Sequence, residues 1–193
     1  MSAPTGLTAE VSSLLERYAP ADDREARHLA DMRALALADG SCSRDHFVPG
    51  HFTASAFVLS PDGGSLLLIH HAKLDRWLQP GGHIEPDDVD LIAAARREVA
   101  EEVGLDDVQL LEPCPFDLDI HEIPARKADP VHRHFDVRFL FRAPSLEFRA
   151  GSDALAARWV PLDQVSAMES RGPVGTAREP DASVMRAVAK LRA

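Results

Sequence analysis

Residues 81–105 read GGHIEPDDVDLIAAARREVAEEVGL, the most informative segment of the chain. Its middle part, residues 89–103, has the spacing of an amphipathic helix, which turns by about 100° per residue. One broad side of that helix is apolar, formed by Leu91, Ile92, Ala95, Val99 and Val103. A glycine-rich turn, Pro80-Gly81-Gly82, precedes the helix. Gly104 is expected to end it, because glycine accepts the left-handed conformation that commonly follows a helix.

The acidic residues of this helix divide between two faces. Glu98 and Glu102 are four residues apart, so their side chains are neighbours at the edge of the apolar side, whereas Glu101 points more toward the other side. One interpretation is a solvated acidic face with Arg96 and Arg97 as internal partners. The glycine turn allows close approach and offers backbone carbonyls, and no cysteine is nearby. Clustered carboxylates in that setting favour a site for Mg²⁺ or Mn²⁺.

The stretch resembles the Nudix box, whose pattern is GX5EX7REUXEEXGU, with U an aliphatic residue. The second half matches at every fixed position: Arg97, Glu98, Val99, Glu101, Glu102, Gly104 and Leu105. Counting from Gly82, Asp88 stands where the pattern has its first Glu, and one extra residue lies between Asp88 and Arg97. Glu85 is therefore an alternative to Asp88 as the acid that stabilises this loop. WLQPGGHIE followed by a later HxHxD strand also resembles a bacterial Nudix subgroup of poorly defined substrate.

The resemblance implies an α/β/α sandwich with a mixed β-sheet. It also implies a hydrolase that uses Mg²⁺ or Mn²⁺ to cleave a diphosphate linkage by attack of water at phosphorus. By analogy, Glu98 and Glu102 bind the ions directly, Glu101 binds one directly or through water, and the carbonyl of Gly82 is a further ligand. Arg97 would hold Glu98 in place through an ion pair. The general base stays open between a box glutamate and carboxylates of a later loop: Glu147, Asp153 and Asp163.

Strands and helices are predicted around the box from hydrophobic periodicity and turn residues. The helices are 7–18, 22–38 and 181–192, and the strands are 52–60, 65–71, 108–112, 116–123, 131–142 and 155–162. Asp22 or Asp23 is expected to cap the second helix, and Gly40 to end it. We therefore divide the chain into an N-terminal helical extension, residues 1–45, and a Nudix hydrolase domain, residues 46–193. For the extension we expect a packing, lid or dimer role.

Two of the predicted strands alternate polar and apolar residues. His132, His134, Asp136 and Arg138 share one face of a strand, and Phe135, Val137 and Phe139 share the other. Asp117, Asp119 and His121 share a face of the preceding strand. If these strands pair, they form a substrate-binding face of five residues: His121, His132, His134, Asp136 and Arg138. Neutral imidazoles would suit a metal ion and protonated ones a phosphate, while the plain alternative is a solvent-facing sheet.

Composition narrows the class of protein. The 193 residues carry 21 Lys and Arg against 31 Asp and Glu, a formal net charge of −10, so we expect no nucleic-acid or membrane partner. An anionic small molecule would need a metal ion to bridge it to so acidic a protein. The N-terminal residues lack the pattern of a signal peptide, and Cys42 and Cys114 make no disulfide framework, so we expect a cytoplasmic protein.

Three functions remain as hypotheses. The first is a Mg²⁺-dependent hydrolase whose small-molecule diphosphate substrate is a nucleotide or nucleoside diphosphate derivative. The second is a Nudix-fold sensor that binds a nucleotide without turnover, which the intact Glu98, Glu101 and Glu102 argue against. The third is an isoprenoid diphosphate isomerase, which would need a catalytic cysteine near a glutamate.

Overall fold

The structure is a computed structural model that describes residues 5–71, 76–149, 154–165 and 182–192. Its helices are α1 (Thr5–Arg17), α2 (Asp23–Leu35), α3 (Leu91–Val103) and α4 (Ala182–Leu191). Its strands are β1 (Gly50–Leu59), β2 (Ser65–His71), β3 (Arg76–Leu78), β4 (Gly81–His83), β5 (Gln109–Leu110), β6 (Asp117–Ile123), β7 (His132–Arg142) and β8 (Ala154–Pro161). Among the helices of the described part, none is long and apolar enough to cross a membrane.

The predicted fold class is confirmed. Helices accompany one eight-stranded sheet in which β3, β2, β1, β7 and β5 follow one another, while β4 pairs with β1, β6 with β7 and β8 with β2. The helical extension is present as α1 and α2. This is the mixed-sheet α/β architecture that the resemblance implied.

Two local predictions were wrong. The second helix ends at Leu35 with Ala36 as its C-cap, so Gly40, at a φ of 73°, belongs to the turns that follow. The residues predicted as a glycine-rich turn form β4, in which Gly81 pairs with Ser55 and Gly82 with Ala54. Three-residue strands such as β3 and β4 are too short for periodicity to reveal.

Gly81 occupies a position that only glycine fits. A Cβ at this residue would lie 2.3 Å from the hydroxyl oxygen of Ser55 and 2.7 Å from its Cα. Its φ of 157° adds to the restriction. The sequence analysis expected this glycine turn to allow the close approach of a ligand. For Gly81, the group that approaches closely is the neighbouring strand β1.

The chain divides into two compact units, and β1, α3 and β7 each contribute residues to both. The first unit contains residues Met1–Ser55, Gly81–Ala95 and Glu112–Phe139. Its core includes Leu7, Val11, Leu15, Met32, Phe52, Leu118, Phe135 and Val137. The second contains Ala56–Pro80, Arg96–Leu111 and Leu140–Ala193, with a core that includes Phe57, Leu67, Leu68, Val99, Val103, Phe141 and Val188.

Within the first unit, the helical extension is bonded to the elements around it. Asp22 caps α2, as expected, by accepting from the backbone N–H of Glu25 at 2.7 Å. Arg33 donates to the carbonyl of Leu15 at 2.9 Å, which ties α2 to α1. Arg24 forms an ion pair with Asp119 of β6 at 3.0 Å. These contacts give the extension a packing role, and the lid and dimer roles remain predictions.

Candidate functional site

The acidic helix α3 begins with two carboxylates at its N-terminus. Asp90 accepts from the backbone N–H of Ala93 at 2.6 Å, which makes it an N-terminal cap. Glu10 of α1 accepts from the N–H of Leu91 at 3.2 Å through one of its oxygens. Burial raises the pKa of Glu10, the bond from Leu91 lowers it, and the nearby Asp90 raises it. Negative charge at this end of a helix is favoured by the helix dipole.

The other end of α3 follows the sequence prediction. Gly104 has a φ of 64° and its N–H donates to the carbonyl of Ala100 at 2.9 Å. Arg96 donates to the carbonyl of Val108, and its guanidinium lies 5.3 Å from the centre of the Phe141 ring. Arg96 thereby holds the segment after the helix and is not the internal partner of the acidic face.

The carboxylates of α3 differ in their exposure to solvent. The Glu98 side chain is 14% exposed and Glu102 is 7% exposed as a residue, while the Glu101 side chain is 59% exposed. Glu98 and Glu102 are thus largely withdrawn from water at the edge of the apolar side, and Glu101 is not. A solvated acidic face would have left all three in water, so that interpretation is wrong for Glu98 and Glu102.

Arg97 joins two of these carboxylates. Its guanidinium donates to Glu98 at 2.9 Å and to Glu101 at 3.2 Å. The predicted ion pair between Arg97 and Glu98 is therefore present. A carboxylate that is bonded to a neighbouring guanidinium is held in one orientation and one side-chain rotamer.

The loop before α3 is stabilised by Asp88. The Asp88 carboxylate accepts from the N–H of Glu85 at 2.8 Å, and the N–H of Asp88 donates to the carbonyl of Glu85 at 3.0 Å. Asp88 is 8% exposed. Of the two alternatives left open by the extra residue, Asp88 therefore supplies the side chain that closes the loop.

The candidate general bases stay unassigned. Glu147 and Asp163 are exposed, and Asp153 lies outside the described residues.

Trp77 is a buried residue of the second unit. Its ring lies 4.2 Å below the Arg158 guanidinium and 5.3 Å from the His70 ring. Trp77 is thus a packing residue of this unit.

The two polar strands of the first unit pair as expected. In the antiparallel register, Asp117 lies opposite Arg138, Asp119 opposite Asp136, and His121 opposite His134. His132, Asp136 and Arg138 are buried, however, so the solvent-facing alternative is wrong for these three residues.

Asp136 and Arg138 belong to a buried ion cluster, formed by Asp117, Asp119, Asp136 and Arg138. The Arg138 guanidinium donates to Asp136 at 2.7 Å, to Asp117 at 3.1 Å and to Asp119 at 3.3 Å. Thr53 and Ser55 donate their hydroxyls to the other oxygen of Asp136, at 3.1 and 2.7 Å. Burial opposes the charge on Arg138, but the three carboxylates together hold its pKa above the usual value. All of these contacts are structural, and a substrate-binding role for Asp136 and Arg138 remains a prediction.

The histidines of the same face join others that the sequence did not single out. His51 of β1 has ring-centre distances of 5.1 Å to His132, 4.8 Å to His134 and 5.1 Å to His83. His121 lies 5.5 Å from His134. In the register of β1 against β4, Thr53 pairs with His83, which brings His83 close to His51. Because this proximity depends on the strand register, the sequence alone did not reveal that these two histidines are neighbours.

Burial keeps two of these rings neutral. It lowers the pKa of His51 to about 4, with further lowering by the nearby His83, and lowers the pKa of His134 to about 2, with further lowering by His51. His121 is more accessible, with a side chain 41% exposed and its Nδ1 3.3 Å from an Asp119 oxygen.

Both cysteines are free. Cys42 is buried, and its burial raises the pKa of the thiol to about 11. A thiol protonated this firmly is a poor acid–base catalyst at neutral pH, which weighs against the isomerase hypothesis.

Comparison with known proteins agrees with this description. The family model described as NUDIX domain matches residues 49–185. A hydrolase of the NUDIX family from Clostridium perfringens is 22% identical, with a TM-score of 0.52 over 74% of this chain and 96% of that one. The Nudix hydrolase RenU from M. smegmatis is 19% identical, with a TM-score of 0.51 over 74% and 83% of the two chains. A C. elegans Ap4A hydrolase binary complex is 16% identical, with a TM-score of 0.50 over 73% and 94%. No curated protein sequence matched the chain.

The sheet, the box sequence and the half-buried carboxylates of α3 define a hydrolase that acts on diphosphate bonds. The family model spans well over half of the sequence. The chain belongs to the Nudix family.

Proposed function

We propose that the chain is a Mg²⁺-dependent hydrolase that cleaves a diphosphate linkage in a nucleotide or nucleoside diphosphate derivative by attack of water at phosphorus. The observation that carries the proposal is the withdrawal of Glu98 and Glu102 from solvent on one side of α3, one turn apart. Two neighbouring carboxylates on one side of a helix can offer several oxygen ligands to one ion, which suits a hard divalent cation.

The donor set fits Mg²⁺ better than a softer metal. The ligands proposed on α3 are the carboxylates of Glu98, Glu102 and Glu101, and the box segment Arg97–Leu105 contains no cysteine or histidine. Glu101, the most exposed of the three, has room for an intervening water. The carbonyl of Gly82 is the further ligand that the resemblance implies.

The chain's own residues would divide the work of catalysis. Glu98 and Glu102 would bind the divalent ion, and Arg97 would keep Glu98 oriented through their 2.9 Å hydrogen bond. When bound, the divalent ion would neutralise the diphosphate, acidify the attacking water and stabilise the leaving phosphate. Among the predicted substrate-binding residues, His121 is accessible enough to contact a phosphate oxygen.

The substrate class is the finer part of the proposal. The chain's net charge of −10 means that an anionic substrate would bind through a cation and not through a basic surface. A nucleotide substrate is in keeping with the C. elegans Ap4A hydrolase whose fold is similar. A cytoplasmic location, which would suit such a substrate, is expected from the two free thiols.

The test is a screen of diphosphate compounds with Mg²⁺, reading phosphate released by a coupled phosphatase. On the best substrate, Glu98→Gln and Glu102→Gln should each lower kcat/KM by about a hundredfold or more, a barrier increase of about 2.7 kcal/mol. Glu112→Gln, at an exposed glutamate outside the box, should keep wild-type kinetics.

Two results would contradict the proposal. The first is that folded Glu98 and Glu102 variants keep more than about a tenth of the wild-type rate, which is a barrier change below about 1.4 kcal/mol. The second is that the wild-type protein binds nucleotides in the presence of Mg²⁺ and turns none of them over, which is the behaviour of a sensor.

A further inference from the structure

Three histidine side chains of the first unit converge on one point. His51, from the start of β1, and His132 and His134, from β7, each offer one ring nitrogen, and these nitrogens all lie within 4.8 Å of one another. His51 is 1% exposed and His132 is 7% exposed. We call these three residues the histidine cluster.

Backbone carbonyls fix the orientation of two of the rings. The Nδ1 of His51 lies 3.3 Å from the carbonyl oxygen of His46, and the Nδ1 of His132 lies 2.8 Å from that of Pro130. A carbonyl oxygen only accepts hydrogen bonds, so each Nδ1 carries the proton and each Nε2 keeps its lone pair. Metal-binding histidines are commonly held in this way, with the second ring nitrogen donating to a carbonyl.

Two buried ring nitrogens of the cluster lack a hydrogen-bond partner within the described part of the chain. They are the Nε2 atoms of His51 and His134. A buried polar atom left without a partner costs about 1–3 kcal/mol. Packing alone does not account for two such atoms beside a third imidazole. One ligand bound to both nitrogens would give each of them a partner.

The geometry of the cluster selects a cation over a phosphate. His51 and His132 donate through Nδ1 to backbone carbonyls, so each offers the lone pair of its Nε2 as a ligand. A lone pair binds a cation and gives a phosphate oxygen no hydrogen-bond donor. Asp136, two residues from His134, belongs to the ion cluster, and its carboxylate oxygens accept from Arg138, Thr53 and Ser55.

We propose that His51, His132 and His134 form a second metal site, which binds one Zn²⁺ ion through three imidazole nitrogens and leaves a fourth position for water. Three imidazole ligands without a carboxylate suit a borderline transition metal and not Mg²⁺. A tetrahedral Zn²⁺ ion, at about 2.0–2.1 Å from each nitrogen, brings its ligands to about 3.4 Å from one another. The rings need to move inward by about 1 Å, which small side-chain rotations achieve.

The site is tested by Zn²⁺ binding to the full chain, without an affinity tag and stripped of metal. Competition with a chromophoric chelator should show one Zn²⁺ per chain, held in the presence of millimolar Mg²⁺. The triple variant His51→Gln/His132→Gln/His134→Gln should lose about a hundredfold or more in affinity, since even the outer partners of metal ligands are worth roughly 10–100-fold. His28→Gln, at a half-buried histidine of α2 outside the cluster, should bind as the wild type does.

A second variant separates this site from the acidic helix. Glu98→Gln/Glu102→Gln should keep the full Zn²⁺ affinity while hydrolysis is lost, so failure of the proposed function and failure of the zinc site give different results. Equal Zn²⁺ affinity in the wild type and the triple histidine variant would overturn the proposal. Loss of Zn²⁺ binding in the double glutamate variant would overturn it as well.

A measurement on the wild-type protein covers the case in which the triple variant does not fold. NMR spectra that correlate the ring nitrogens and carbons of the histidines should show the Nε2 signals of His51, His132 and His134 shifting together at one equivalent of Zn²⁺. Co²⁺ in place of Zn²⁺ should give the intense visible absorption of a tetrahedral site. Unchanged Nε2 signals at one equivalent of Zn²⁺ would overturn the proposal without any substitution.

Discussion

Replacing Arg138 by Met removes the cation at the centre of the buried ion cluster and keeps a side chain of similar length. Three charge-assisted hydrogen bonds are lost, at 2.7, 3.1 and 3.3 Å. At about 1.5–3 kcal/mol each, their simple sum is about 4.5–9 kcal/mol. That sum exceeds the loss expected, because the variant no longer has to bury the guanidinium. Removing one partner of a buried ion pair costs about 3–5 kcal/mol, which is our expected loss in the free energy of unfolding.

Urea unfolding, followed by circular dichroism and tryptophan fluorescence, measures this loss. Arg142→Met is the matched control, at an exposed arginine near the end of the same strand, and should change the free energy of unfolding by about 0.5 kcal/mol or less. In the double variant Arg138→Met/Asp117→Asn, one of the carboxylates that bonded the guanidinium is neutralised as well. Its cost should therefore fall short of the sum of the single costs by about 0.5–3 kcal/mol.

The same variant also tests the role that the sequence predicted for Arg138. A loss below about 1 kcal/mol relative to Arg142→Met would refute the buried-cluster reasoning, since three buried carboxylates that lose a shared guanidinium should cost more than that. If Arg138 were mainly a substrate ligand, Arg138→Met would raise KM at an unchanged free energy of unfolding. We expect instead a large loss of stability.

Two further predictions concern the surroundings of α3. Glu10→Ala removes the acceptor for the Leu91 N–H and should lower the free energy of unfolding by about 0.5–2 kcal/mol. Glu16→Ala, at an exposed residue of α1, is the control and should change it little. Equal values for the two variants would contradict the capping role. Gly81→Ala forces a Cβ against Ser55, which donates to Asp136, and should cost about 1–3 kcal/mol in urea unfolding. Gly6→Ala, where a Cβ meets nothing within 4 Å, is its control, and a Gly81→Ala protein as stable as this control would show that the strand yields without cost.

The sequence predicted long, periodic elements well. Helix α3 was expected at 89–103 and is found at Leu91–Val103, because apolar residues recur at helical spacing and Gly104 ends the run. Strand β7 was expected at 131–142 and is found at His132–Arg142, because its polar and apolar residues alternate. Strands β3 and β4 were missed, since their three residues each are defined by pairing with β2 and β1 and not by a pattern of their own.

The chemistry of the polar face was predictable only in part. Alternation placed His134, Asp136 and Arg138 on one side of β7, and the register opposite Asp117, Asp119 and His121 confirms that they form one face. Alternation does not say whether such a face is wet or dry, and a buried Arg138 requires carboxylates from a second strand. His51 was passed over because it is a single histidine at the start of an apolar strand, and its partners lie about 80 residues further along the chain.

The hydrogen bond from Leu91 to Glu10 has a consequence for the order in which the chain acquires its structure. The two residues are 81 positions apart, so the acceptor leaves the ribosome long before its donor has been synthesised. Closing so long a segment costs chain entropy before the contact returns any stability. We therefore expect the first turn of α3 to become protected from hydrogen exchange only after α1 has docked. The first turn of α3 would then be among the last parts of the first unit to reach its final form.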